Sequence, residues 1–171
     1  MSNRTEELSQ HNFFDELMEM RDRLRERKNG LFVVKGDDIP MESNRHGLMQ
    51  WYMHPNIKDV SLNTKLVYVQ HIPPGSKSGR QHHPGGKIFY FWQGKGHTVL
   101  DGVNYSWVAG EMIQLPLRKD GVTYQHFNDS DDEEVLILAV EPNYIEALGL
   151  DKGSSYEELE DSPDYKPAAK K

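Results

Sequence analysis

The chain has no cysteine, which excludes disulfide cross-links, thiolate nucleophiles and cysteine-based zinc sites. No apolar run is long enough to span a bilayer. The opening MSNRTEELSQ lacks the apolar stretch of a secretory signal, so a cytoplasmic location and no membrane partner are expected. Positive charge is also in short supply: 20 Lys and Arg face 27 Asp and Glu, for a formal net charge of -7. The one basic concentration, residues 21–28, alternates with acids on an expected helix and reads as a solvated face, so no nucleic-acid partner is expected. There is no phosphate-binding glycine loop of the P-loop kind, no G-x-S-x-G elbow and no HExxH. No internal repeat is visible.

What is present suits one globular domain. The 171 residues are 36% hydrophobic and 27% charged, enough for a sizeable core. Residues 1–10 are polar. Residues 11–28 predict an amphipathic helix, with Phe13, Leu17, Met20 and Leu24 on one face and Asn29-Gly30 as its stop. That stripe is expected to pack on the rest of the fold or on a second subunit. The pattern then changes to short strands at 31–34, 66–72, 88–93, 97–100, 103–108, 111–116, 122–128 and 134–141, with 49–55 as a strand edge or lid. Asp101-Gly102 predicts a tight hairpin, and Pro73-Pro74-Gly75 ends a strand. Many short strands punctuated by Gly and Pro predict an all-β antiparallel sandwich or barrel. The expected organisation is a polar segment and helix at 1–30, a β-barrel at 31–150 with a short helix at 144–150, and a flexible acidic tail at 151–171.

From Gly75 to Asn128 the residues form a recognisable frame: Gly75, Gln81-His82-His83, Lys87 and Gly94, then Gly110, Pro116, Tyr124 and Asn128. This frame resembles the two motifs of the cupin superfamily. The wording GGKIFYFWQGKGHTVLDG and VTYQHFN is similar to bacterial cupins related to gentisate-type aromatic ring-cleaving dioxygenases, over residues 48–145. The resemblance implies a double-stranded β-helix, or jelly-roll barrel, with an N-terminal α-helix. In metal cupins the first motif supplies two histidines and a glutamate and the second supplies one histidine. Gln81, His83, Lys87 and Tyr124 stand at those places here. A lysine ammonium at the glutamate position would repel a divalent cation unless it points away or binds an anion.

Alternate strand residues share a face. Gln81 and His83 therefore point one way and His82 the other, unless a bulge beside Gly79 swings it in. Tyr124 and His126 likewise share a face. With both segments at the barrel mouth, Gln81, His83, Tyr124 and His126 converge. His83 and His126, helped by Gln81 and less readily by His82, are the candidate ligands for a divalent metal, Fe(II) first and Mn(II), Ni(II) or Zn(II) as alternatives. Tyr124 and Gln81 are the candidate catalytic residues. Each also has a structural reading as a hydrogen-bonded wall residue. Lys87 reads either as a solvated lysine or as a clamp on a substrate carboxylate. The face taken by His71 is undecided, His97 is placed at a rim, and His11, His46 and His54 are read as surface residues.

Three functions follow. The first is a metal-dependent, dioxygenase-like oxidoreductase acting on a small aromatic or phenolic acid. The second is a metal-free isomerase or lyase using a His–Tyr pair. The third is a non-catalytic ligand-binding or regulatory cupin. A homodimer is expected by analogy with the family.

Overall fold

A computed structural model describes residues 4–26, 29–62, 64–143 and 157–167. Among the described residues two α-helices, α1 (Arg4–Ser9) and α2 (Phe13–Glu26), precede eleven strands. The strands are β1 (Glu42–Asn44), β2 (Gly47–Met53), β3 (Lys65–Ile72), β4 (Arg80–His83), β5 (Ile88–Gln93), β6 (Lys95–Leu100), β7 (Val103–Val108), β8 (Met112–Gln114), β9 (Val122–Asn128), β10 (Val135–Pro142) and β11 (Glu157–Glu160). They pair into a six-stranded sheet, ordered β1-β2-β3-β10-β5-β8, and a five-stranded sheet, ordered β11-β4-β9-β6-β7. Every pairing between strands is antiparallel. The result is the all-β, double-sheeted architecture that the strand pattern predicts.

The core lies between the sheets and follows the period of two. On β10, Val135, Ile137 and Ala139 are fully buried, and Glu141 continues the same inward row. On β5, Phe89 and Phe91 point in, while Ile88, Tyr90 and Trp92 are exposed. Phe91 stacks flat on Trp107 of β7, with ring centroids 3.8 Å apart, and so joins the two sheets. Asp101 and Gly102 both take positive φ, at 48° and 82°, as a two-residue hairpin between β6 and β7 requires. On β3 the undecided faces resolve: Leu66, Tyr68, Gln70 and Ile72 are buried, and His71 lies on the other face against Glu134 and Gln50.

Three expectations change. The helix forms, but Phe13, Leu17 and Met20 are each about half exposed or more and do not pack on the barrel. Local terms account for α2: Asp15 N–H donates to Asn12 Oδ1, an N-terminal cap, and Arg25 pairs with Asp22 one turn away. Residues 31–34 are not a strand. Leu31 makes one bridge to Val60, and Phe32 and Val33 are among the most exposed apolar side chains. The acidic stretch expected to be a flexible tail instead supplies β11, which pairs with β4 through Glu157–His82, Glu158–Gln81 and Glu160–Arg80. Edge strand β4 offered unpaired backbone groups there, and pairing satisfies them. The short helix expected at 144–150 lies outside the described residues.

Candidate functional site

The alternation of β4 and β9 turns Gln81, His83, Tyr124 and His126 into the barrel, and all four are buried. Gln81 and Tyr124 are direct partners across the β4–β9 pairing. Thus the four groups expected to converge on the interior do point inward. His82 faces the other way, half-buried, with Nδ1 3.0 Å from Thr123 Oγ1. It is not part of the interior cluster.

Lys87 is the centre of the arrangement. It is 1% exposed, so its reading as a solvated lysine is overturned. Its ammonium lies 3.0 Å from Glu141 Oε2. It donates to the Tyr124 hydroxyl at 3.1 Å, the Tyr68 hydroxyl at 3.2 Å and Gln81 Oε1 at 3.3 Å. A buried ammonium persists only when paired and hydrogen-bonded, and these four oxygens provide that environment. Burial pulls the Lys87 pKa below that of an ordinary lysine, with Glu141 opposing. Burial alone would raise the Glu141 pKa, but Lys87 and His83 together outweigh it and hold it at about 2. Glu141 is therefore a carboxylate. The carboxylate that Lys87 holds is that of Glu141, from the same chain.

The two imidazoles are set differently. His83 Nδ1 accepts the Gly85 N–H at 2.9 Å, which leaves the ring proton on Nε2, facing Glu141 Oε2 at 2.7 Å. That contact is close, though its angles depart from those of a well-formed hydrogen bond. Burial lowers the His83 pKa, Glu141 opposes, and the Lys87 charge lowers it further. His126 Nδ1 lies 2.7 Å from Thr98 Oγ1, which already accepts the Trp107 indole N–H at 2.9 Å. The Thr98 bond to Nδ1 leaves Nε2 as the ring's other nitrogen. That Nε2 has no polar partner among the described residues and the ring sits edge-on to Phe89, 4.4 Å between centroids. Burial, then the charges of His46 and Lys87, push the His126 pKa well below its usual value. Gly96 permits this chain: a Cβ there would collide with the Phe127 carbonyl and the Trp107 ring.

These positions do not fit a divalent metal. A neutral imidazole has one lone pair, and the Gly85 N–H takes that of His83. Gln81 Oε1 is shared by Lys87 and Tyr124. An ammonium occupies the middle, where a cation would meet repulsion. Among the described residues no group of three or more His, Asp or Glu could hold an ion.

Sequence reasoning missed two further members. His46, in the turn between β1 and β2, is 5% exposed instead of lying on the surface. Its Nε2 lies 3.2 Å from the Tyr124 hydroxyl and its Nδ1 3.1 Å from Glu158 Oε1. Glu158, on β11, also accepts from Gln81 Nε2 at 3.1 Å. The Tyr124 hydroxyl donates toward Gln81 Oε1 at 2.7 Å. It therefore touches an amide oxygen, an imidazole and an ammonium at once. Tyr124, His46 and Glu158 form a line from the interior to the edge strand β11.

Residues 68–141 match the family model described as Cupin domain. No curated protein matches at significant similarity. Among solved structures, a Cupin 2 conserved barrel domain protein from Salinispora arenicola is 23% identical, with 66% of this chain and 88% of that one covered and a TM-score of 0.53. A salicylate 1,2-dioxygenase from Pseudaminobacter salicylatoxidans is 17% identical, covering 66% of this chain and 30% of that one, with a TM-score of 0.53. The polyketide cyclase RemF from Streptomyces resistomycificus is 16% identical, covering 66% and 79%, with a TM-score of 0.52. Cupins commonly bind metals, and relatives of this fold range from a dioxygenase to a cyclase, so the fold alone does not select a reaction. Residues 68–141 thus match a cupin domain, and the two-sheet architecture has the cupin fold of these solved structures.

Proposed function

We propose that this cupin is a metal-independent acid–base enzyme, an isomerase or lyase that moves a proton at carbon next to a carbonyl, with Tyr124 as the proton-transferring group. The observation that carries this reading is the sharing of the Tyr124 hydroxyl between Gln81 Oε1 and His46 Nε2, with the Lys87 ammonium 3.1 Å from the same oxygen. Two acceptors flank one proton, so it can change partner without moving heavy atoms. The ammonium favours the phenolate that remains when the proton leaves. Glu158 behind His46 orients that ring. The dioxygenase-like reading with Fe(II), Mn(II), Ni(II) or Zn(II) is opposed by the Lys87 ammonium, which stands among the groups that would have to hold the ion.

The complete burial of Lys87, His83, Tyr124 and His126 favours a second reading, a cupin that holds a small ligand without turnover. One experiment separates these. Enolisable sugar phosphates and 2-keto acids are incubated with the protein in D2O, with and without EDTA, and deuterium uptake at carbon is followed by NMR. Uptake that survives EDTA and is lost in Tyr124→Phe supports proton transfer. Uptake that requires added Fe(II), or is undiminished in Tyr124→Phe, sinks it. Ligand retention without any uptake supports the binding reading.

A further inference from the structure

We infer that the Glu158 carboxylate occupies the seat of a substrate carboxylate, and that β11 is a strap which must yield that seat before the site can be filled. The inference rests on the proposed use of the Tyr124 cluster and names the class of molecule it would take: a small carboxylate anion.

The seat is defined by donors whose direction is fixed from behind. Gln81 Oε1 faces inward because Lys87 and Tyr124 both donate to it. Its amide Nε2 must then face the mouth, where it donates to Glu158 Oε2. His46 presents Nδ1 to the other carboxylate oxygen, Oε1, while its Nε2 is engaged with Tyr124. Two donors, one for each oxygen of a planar carboxylate, thus point outward from residues that other contacts hold in place. Without Glu158 both would lose their acceptor, and a carboxylate from solution would restore both bonds. Gly79 borders the seat: a Cβ there would run into Glu158 Oε1, so the bare backbone leaves room for the anion.

The carboxylate now in the seat is carried by a strand at the sheet edge, where Arg45 holds the Glu158 carbonyl and Lys77 pairs with Glu160. β11 is an edge strand with β4 as its one neighbour, and its register breaks between Glu158 and Glu160. Tyr124, on β9, has paired strands on both sides. Past β11 the chain is tethered, since the Ser162 hydroxyl donates to the Lys77 carbonyl and the Ser76 hydroxyl to Asp164. Yielding the seat therefore needs local fraying of β11, with release of the Arg45 and Lys77 contacts, and rotation of one side chain.

An internal ligand competes with an external one, so removing it should strengthen binding. Benzoate and its uncharged isostere benzamide are titrated calorimetrically into the full-length wild type, Glu158→Ala and Glu158→Gln. Benzoate should bind Glu158→Ala at least tenfold more tightly than wild type, with Glu158→Gln in between and benzamide unimproved throughout. Equal benzoate affinity in wild type and both variants overturns the inference. So does an equal gain for benzamide, which would mean that the substitution merely opened a void. Should Glu158→Ala fail to fold, the Glu158→Gln comparison decides alone. Failure of the proton-transfer reading would appear elsewhere, as absent deuterium uptake with the benzoate response intact.

Discussion

Lys87 Nζ and Glu141 Oε2 lie 3.0 Å apart, both closed off from solvent, although 54 positions separate their places in the sequence. One residue precedes β5 and the other ends the inward row of β10, and the β5–β10 pairing brings them together. Their attraction offsets two desolvation penalties only while both are present. Lys87→Ala should therefore cost about 3–5 kcal/mol in urea denaturation, the range for leaving one buried charge unpaired. Lys87→Met combined with Glu141→Gln should cost clearly less. A double variant as unstable as the single would contradict the pairing.

The same position tests the metal question. Lys87→Glu removes the ammonium and sets a carboxylate beside Glu141 and His83. Its melting temperature should fall without metal and rise on adding Mn(II), because an ion bound to the native state alone stabilises it. The wild type should show no rise. An equal rise in the wild type would mean that its donors do admit a cation.

Acid should weaken the fold in two stages. His83 and His126 have native pKa values below the usual 6.5. The unfolded chain therefore takes up protons first as pH drops, and the stability these groups contribute above 6.5 is lost as the pH falls beneath it. Glu141 is held at about 2 against a usual 4.5. Its contribution is full above 4.5 and is lost between there and about 2. Thermal melts should stay level from about pH 8 to 7 and decline from there to about pH 4. His126→Gln should flatten the first part of that decline, and an unchanged slope would show that His126 takes no part.

Gly96→Ala should destabilise by about 1–3 kcal/mol, the usual cost of overpacking a filled interior. The added methyl meets the Phe127 carbonyl and the Trp107 ring, so the indole should leave Thr98 and release His126 Nδ1. The His126 ring signals in an NMR spectrum should shift with the loss of stability. A stable variant with unshifted signals would refute the Gly96–Trp107–Thr98–His126 chain.

Strand alternation made much of this legible. The inward direction of Gln81, His83, Tyr124 and His126 follows from a period of two, as does the outward direction of His82. Glu141 was readable by the same rule, since it continues the parity of Val135, Ile137 and Ala139, yet a charge in that row is easily taken for the strand's polar end. His46 and Glu158 carried no local signal. One sits in a turn and the other in an acidic stretch, and only long-range pairing brings them to Tyr124. The orientation of α2 was not legible either, because an apolar stripe states that a helix could be covered without stating by what.

The edge position of β11 bears finally on timing. If the interior opens only when that strand frays, arriving molecules wait on a rearrangement of the protein itself. The observed association rate should then climb with concentration and level off at the opening rate, well below the diffusional limit. Stopped-flow traces with benzoate should show that plateau, and loosening the strap should raise it.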